Sequence, residues 1–168
     1  MYRLGHQGVN LVLFAPVLLV LIVAGYPLAG LAGVAVVFTT ASLPDVDHRL
    51  PLIEHRGVTH TVWAALVVGA AAAVLAWLAT GAFTEAVAAL GLSRPVVAVY
   101  AGGLLSFSVL GHLAGDVLTP MGIAPLYPLS TESYTLSVCP AKSWLANRLL
   151  FAGGVGATAA VVGAVSVL

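Results

Sequence analysis

An all-α, polytopic membrane helical bundle is the fold class this sequence predicts, and three observations predict it. Of its 168 residues, 61% are hydrophobic and only 7% are charged, where an average soluble domain carries roughly 25% charged residues; the mean hydropathy is +1.09. Five apolar stretches, 9–25, 28–43, 61–80, 96–118 and 149–168, approach the roughly 20 residues that cross a hydrocarbon core. Third, the few titratable side chains gather between alternate stretches rather than spreading along the chain.

The elements follow in order. Arg3 and the run behind it resemble a secretory signal, but a second apolar run follows directly after Ala24-Gly25-Tyr26-Pro27. A retained helical hairpin is therefore expected. The second stretch is the shortest, and its 16 residues span only about 24 Å as an α-helix. It must be tilted, shielded by neighbours, or interrupted near Thr39 and Thr40. The third opens just after His60, the fourth carries His112 and Asp116 near its C-terminal end, and the fifth closes the chain. The Ala- and Gly-rich runs at 69–76 and 152–160 read as faces for close helix packing. No repeat or linker divides the chain, so residues 1–168 are expected to form a single domain.

Composition also excludes functions. Six basic residues balance six acidic ones, which leaves no polybasic surface for nucleic acid. Cys139 is the only cysteine, so neither an intrachain disulfide nor a cysteine zinc site is available.

If the five spans alternate, the N-terminus and the segments 44–60 and 119–148 share one side. That side receives Arg3, Arg49, Arg56, Lys142 and Arg148, and the other only Arg94. The positive-inside rule turns the Arg-rich side to the cytoplasm of a cell membrane. The same side holds His6, His48, His55, His60 and His112, together with Asp45, Asp47, Glu54, Asp116 and Glu132; 15 of 17 titratable side chains converge there. Glu54 and Glu132 read as solvated loop residues, and Glu85 and Arg94 as anchors at the far side. Tyr26, Trp63, Trp77 and Tyr100 read as packing or headgroup-belt aromatics.

The residue types narrow the chemistry. Leu43-Pro44-Asp45-Val46-Asp47-His48 sets two carboxylates and an imidazole where the second span ends, and His55-Arg56-Gly57-Val58-Thr59-His60 opens the third. His112 and Asp116 are four apart and so share one helical face. An isolated carboxylate inside a bundle requires a cation, a proton or a hydrogen-bonding partner. His6, expected just before the first span, completes a set with Asp45, His60, His112 and Asp116. Mixed imidazole and carboxylate ligands suit a divalent ion, zinc above all, with manganese or iron as alternatives. Asp47 and His48 are placed for a second ion, for support of the ligands, or for proton transfer, and the planar fork of Arg56 for a phosphate or carboxylate. Structural roles stand beside these: Asp45 and Asp47 also suit turn caps after Pro44, and His6 a simple interfacial position.

These motifs, with Gly111-His112-Leu113-Ala114-Gly115-Asp116-Val117-Leu118-Thr119-Pro120-Met121-Gly122 and the later Pro125-Leu126-Tyr127-Pro128, resemble the YdjM-type membrane proteins, described as LexA-binding, inner-membrane-associated, metal-dependent hydrolases. The resemblance runs from His6 to about Arg148 in order and spacing. It implies a metal-dependent hydrolase, and a more distant similarity to zinc-dependent phospholipase C and P1-type nucleases implies phosphoester cleavage. On this reading His6, Asp45, His60, His112 and Asp116 hold one or two ions. Asp47 or His48 takes the proton of water, and Arg56 stabilises charge, with His55, Arg56 and Thr119 contacting substrate. The expected partners are membrane lipids, including a phospholipid substrate, and no nucleic acid. Two other classes compete: a metal or proton transporter, which the apolar span centres disfavour, and a scaffold whose polar cluster only fixes helix register.

Overall fold

The computed structural model describes residues 1–49, 55–89 and 91–165. Glu54, expected in a solvated loop, lies outside them. Five helices long and apolar enough to cross a membrane dominate the chain, and among the described residues the only pairing of extended backbone is an isolated antiparallel bridge between Ile123 and Tyr134.

Helix α1, Arg3–Val23, contains Pro16 at its middle, which a membrane helix tolerates because its neighbours and local adjustment compensate the lost hydrogen bond. It ends in a Schellman turn: Gly25 takes φ of 88°, its N–H donates to the Ile22 carbonyl at 3.0 Å and the Tyr26 N–H to the Leu21 carbonyl at 2.8 Å. Only glycine enters that left-handed region without steric cost. Pro27 then starts α2, Pro27–Thr39, in the first turn, where the N–H would have no intrahelical acceptor. The hairpin expected from the sequence is thereby built by Gly25 and Pro27, on either side of Tyr26.

Helix α2 is only 13 residues long, so the break falls at Thr39 and Thr40. Both hydroxyls turn back onto helix carbonyls, Thr39 to Ala35 at 2.7 Å and Thr40 to Val36 at 2.7 Å. A 3-10 segment, Pro44–Arg49, continues the path; the whole span runs Pro27–His48. A second 3-10 turn, Val58–His60, leads into α3, Val62–Ala82. There Thr61 is the N-cap, accepting from the Ala64 N–H at 3.1 Å. Short α4, Thr84–Ala89, precedes α5, Arg94–Val117, and α6 is Trp144–Val165.

Three expected boundaries move outward. The first helix begins at Arg3 rather than residue 9, which puts His6 inside α1 and not before it. Arg94 opens α5 and Arg148 lies within α6. Hydropathy registers only the part of a helix in hydrocarbon, whereas the backbone stays helical into the polar interface.

Helix α6 packs along α1 and α3 along α5, while α1 joins the two pairs through α2 and α5. Small residues set the approach. Gly8 lies against the backbone of Leu150 and Phe151, and Gly69 against Gly102 and Ser106. Between helices in lipid such van der Waals contact, rather than water exclusion, drives association. Phe14, Leu18, Val37 and Leu104 form the core between α1, α2 and α5. Polar bonds pin it: the Tyr100 hydroxyl donates to the Ala29 carbonyl at 2.6 Å, and the Thr40 hydroxyl oxygen, its hydrogen on the Val36 carbonyl, stands 2.8 Å from the Ser108 hydroxyl as acceptor. Leu66, Val67, Val74, Leu75 and Leu78 point outward from α3, as a lipid-facing surface requires.

Helices α1, α3 and α6 begin, and α2 and α5 end, at one end of the bundle. Irregular residues 118–143 cross that end. The Leu136 N–H donates to the Val117 carbonyl at 2.7 Å, and the Pro125 carbonyl accepts the Val62 N–H at 2.9 Å.

Candidate metal centre

Four segments deliver the titratable residues to this end: α1 brings His6, the turn after α2 brings Asp45, Asp47 and His48, the run before α3 brings His55, Arg56 and His60, and α5 brings His112 and Asp116. His6, His60, His112 and Asp116 are completely or almost completely buried, as is Asp47, whereas Asp45 remains partly exposed and His48 and His55 exposed.

The centre is a triangle of ligand atoms. His60 Nε2 and His112 Nε2 are 3.2 Å apart, and Asp116 Oδ2 stands 3.5 Å from each. For metal bonds of 2.0–2.1 Å, a tetrahedral site has edges of about 3.3–3.4 Å. Asp45 Oδ1 also lies 3.5 Å from both nitrogens. The His6 ring stacks on that of His112, centroids 3.7 Å apart, with its Nε2 3.7 Å from Asp116 Oδ1.

Groups behind the ligands set the imidazole tautomers. His112 Nδ1 is 2.8 Å from the Ala41 carbonyl, which can only accept, so Nδ1 carries the hydrogen. The Thr59 hydroxyl gives its one hydrogen to Asp47 Oδ2 at 2.7 Å and accepts at 2.9 Å from His60 Nδ1. In neutral rings both Nε2 lone pairs then point into the space that the carboxylate oxygens face. Four acceptors and no hydrogen between them repel one another unless a cation enters. His6 strengthens the case, because neither of its buried nitrogens has a hydrogen-bonding partner among the described residues. The residues present therefore fit a divalent ion on geometry, donor chemistry and unsatisfied polar atoms alike.

Two residues expected to face substrate turn inward. Arg56 donates from Nη2 to Asp116 Oδ1 at 2.6 Å and from Nη1 to the Gly122 carbonyl at 2.8 Å. Thr119 is fully buried and donates to the Asp116 carbonyl at 2.8 Å while its oxygen lies 3.4 Å from Arg56 Nη1. The buried carboxylate of Asp116 requires a paired cation, and Arg56 is one that reaches it. Arg56 reaches it from φ of 63°, a left-handed conformation that a bulky residue adopts only when its surroundings impose it. Asp47, expected to accept a proton from water, has its oxygens committed to Thr59, to His55 Nδ1 at 3.1 Å and to the Arg56 backbone N–H at 3.4 Å. It orients His60. His48 keeps its place at the exposed rim, its ring 3.7 Å from that of His55.

Sequence reasoning passed over Thr59 and Gly115. Thr59 sits inside the His55–His60 motif, and the need of a buried imidazole for a partner at Nδ1 was the available signal. Gly115 sits between His112 and Asp116, and a Cβ there would come within 2.9 Å of His6 Nδ1.

Fold and site together define a multi-pass membrane protein with a buried His/Asp cluster able to hold a metal ion. The chain belongs to the YdjM inner membrane protein family, whose family model matches residues 1–168. No curated protein and no solved structure matches it.

Proposed function

We propose that this protein is a metal-dependent hydrolase that cleaves a phosphoester, its substrate a phospholipid or lipid-linked phosphate, at the cytoplasmic face of the inner membrane. The observation that carries the reading is the pair of imidazole nitrogens 3.2 Å apart, with carboxylate oxygens 3.5 Å from both. His60, His112, Asp116 and Asp45 would hold the ion, with His6 beside them; zinc suits this donor set best, then manganese or iron. Such an ion supplies Lewis acidity toward a phosphoryl oxygen and an acidified water.

The chain's own residues do the rest. Asp47 and Thr59 hold the proton of His60 at Nδ1, and the Ala41 carbonyl does so for His112, which leaves Nε2 free in each. Arg56 offsets the charge of Asp116, so the ligand cluster does not accumulate uncompensated carboxylates. Asp45 alone among these ligands is partly exposed, so water and substrate approach from its side, past His48 and His55. That rim lies where the chain leaves the membrane, at headgroup level, which supports a lipid substrate. The end with the site also carries Arg3, Arg56, Lys142 and Arg148 against Arg94 at the other, which supports a cytoplasmic orientation.

The test is metal content per chain of detergent-purified protein beside His112→Ala/Asp116→Asn, followed by turnover of phospholipids and soluble phosphomonoesters. The reading expects one of the three metals and hydrolysis in the wild type, and neither in the variant. Metal-loaded protein that hydrolyses no phosphoester would sink the enzymatic reading, and protein that takes up no metal would leave a scaffold.

A further inference from the structure

Beside the buried triangle stands a second group of ligand-bearing side chains, of which His48 and His55 have no role in the inner centre. Asp45, Asp47, His48 and His55 each offer one ligand atom, and these atoms all lie within 4.8 Å of one another. His55 Nδ1 and Asp47 Oδ1 are 3.1 Å apart, close to the roughly 3.0 Å between adjacent ligands of a six-coordinate ion with bonds near 2.1 Å. The 48 and 55 rings lie against each other at 3.7 Å, tilted by 30°, so neither is splayed into solvent as an unconstrained surface histidine would be. Asp47 is 2% exposed, while His48 and His55 are exposed, so one side of the group is anchored in protein and the other open to water.

Asp45 belongs to both sets. Its Oδ1 faces His60 Nε2 and His112 Nε2, and its carboxylate also stands in the outer quartet. Asp47 links them from behind, with Oδ2 on the Thr59 hydroxyl that supports His60 and Oδ1 on His55. A carboxylate shared by two ligand sets is the arrangement that holds two ions about 3.5–4 Å apart in hydrolytic sites.

We propose that Asp45, Asp47, His48 and His55 form a second divalent-cation site, bridged by Asp45 to the buried centre and open to solvent on its outer side. The inference rests on the metal-binding part of the proposed function and makes the centre binuclear. The two sites differ in kind: the inner is enclosed by protein and the outer keeps positions for water and a phosphoryl oxygen, so the outer ion exchanges more readily. His48 and His55 act here as neutral imidazole ligands, each through one ring nitrogen.

The test uses full-length protein in detergent, equilibrated with Mn²⁺ and separately with Zn²⁺, with bound metal per chain as readout and electron spin resonance on the manganese form. Wild type should bind close to two ions per chain, in one tighter and one weaker step, with a spin-coupled manganese signal at full loading. His48→Ala/His55→Ala, which removes the two exposed rings and one hydrogen bond to Asp47 Oδ1 but leaves the Thr59 bond to Asp47 Oδ2 in place, should bind close to one ion and show an uncoupled signal. One ion in wild type, retained in that variant, overturns the second site and leaves the buried centre standing. Two ions in the variant overturn the ligand assignment. No ion in wild type overturns both readings.

Discussion

His60 and His112 point their Nε2 atoms at each other across 3.2 Å in the protein interior, although they are 52 residues apart in sequence. Each ring has its Nδ1 committed elsewhere, to Thr59 and to the Ala41 carbonyl. Two neutral imidazoles so arranged have no hydrogen to share, so the contact is repulsive until a cation stands between them. Metal and stability should therefore be linked. Chelation is expected to lower the thermal unfolding temperature, and added Zn²⁺ at about 100 times its dissociation constant to restore about 2.7 kcal/mol. Calorimetry in detergent, with and without chelator, measures this; unchanged unfolding would mean no ion occupies the site.

Thr59→Val removes the hydroxyl between Asp47 and His60 without changing side-chain shape. Loss of such a support typically weakens metal affinity 10–100-fold, so the variant should still fill its inner site at high zinc but release it at lower chelator concentration. A competition titration against a zinc chelator follows the shift.

Asp116→Asn leaves the Arg56 guanidinium buried beside a neutral amide. Breaking a buried pair from one side costs about 3–5 kcal/mol, and the unfolding temperature should fall accordingly. Arg56→Met/Asp116→Asn removes this pair but leaves the buried Met1 ammonium, 3.2 Å from the same carboxylate oxygen, without its anion, so it should recover only part of that stability and no metal. Recovery of metal by the double variant would exclude Asp116 as a ligand.

Gly115→Ala brings a methyl group to 2.9 Å from His6 Nδ1, and His6 cannot retreat because its other face is stacked on His112. The variant should lose metal affinity and stability together. Gly103→Ala, on the same helix with open space where its Cβ would stand, should change neither, and is the control for helix propensity.

Cys139 lies in the crossing segment at the same end as the cluster, its backbone N–H donating to the Leu118 carbonyl at 3.2 Å. A membrane-impermeant thiol reagent should label it from the cytoplasmic side in inside-out vesicles and not in right-side-out ones. The reverse pattern would turn the site to the opposite face.

Much of this architecture was legible in the residues. Five apolar runs in a chain with 7% charged residues have no stable alternative to membrane helices, because backbone groups in lipid must bond within their own segment. The hairpin was readable from Ala24-Gly25-Tyr26-Pro27, and the weakness of the second span from its length and its two threonines. His112 and Asp116 declared themselves by helical spacing, and the convergence of histidines and carboxylates at one end followed from alternation of the spans.

What the linear order could not carry was the direction in which each side chain spends its hydrogen bonds. Arg56 is chemically suited to a phosphate, and only the approach of α5 to the run before α3 gives it to Asp116. Asp47 has the chemistry of a base, and only the fold of the 3-10 turns puts Thr59 and His55 on its oxygens. His6 needed the close α1–α5 contact at Gly115 to reach His112. Hydrophobicity and helical periodicity are local properties, so they determined the spans but not how far each helix runs into the interface; the partner of a buried polar group depends on distances between segments remote in sequence, and only tertiary packing decides them.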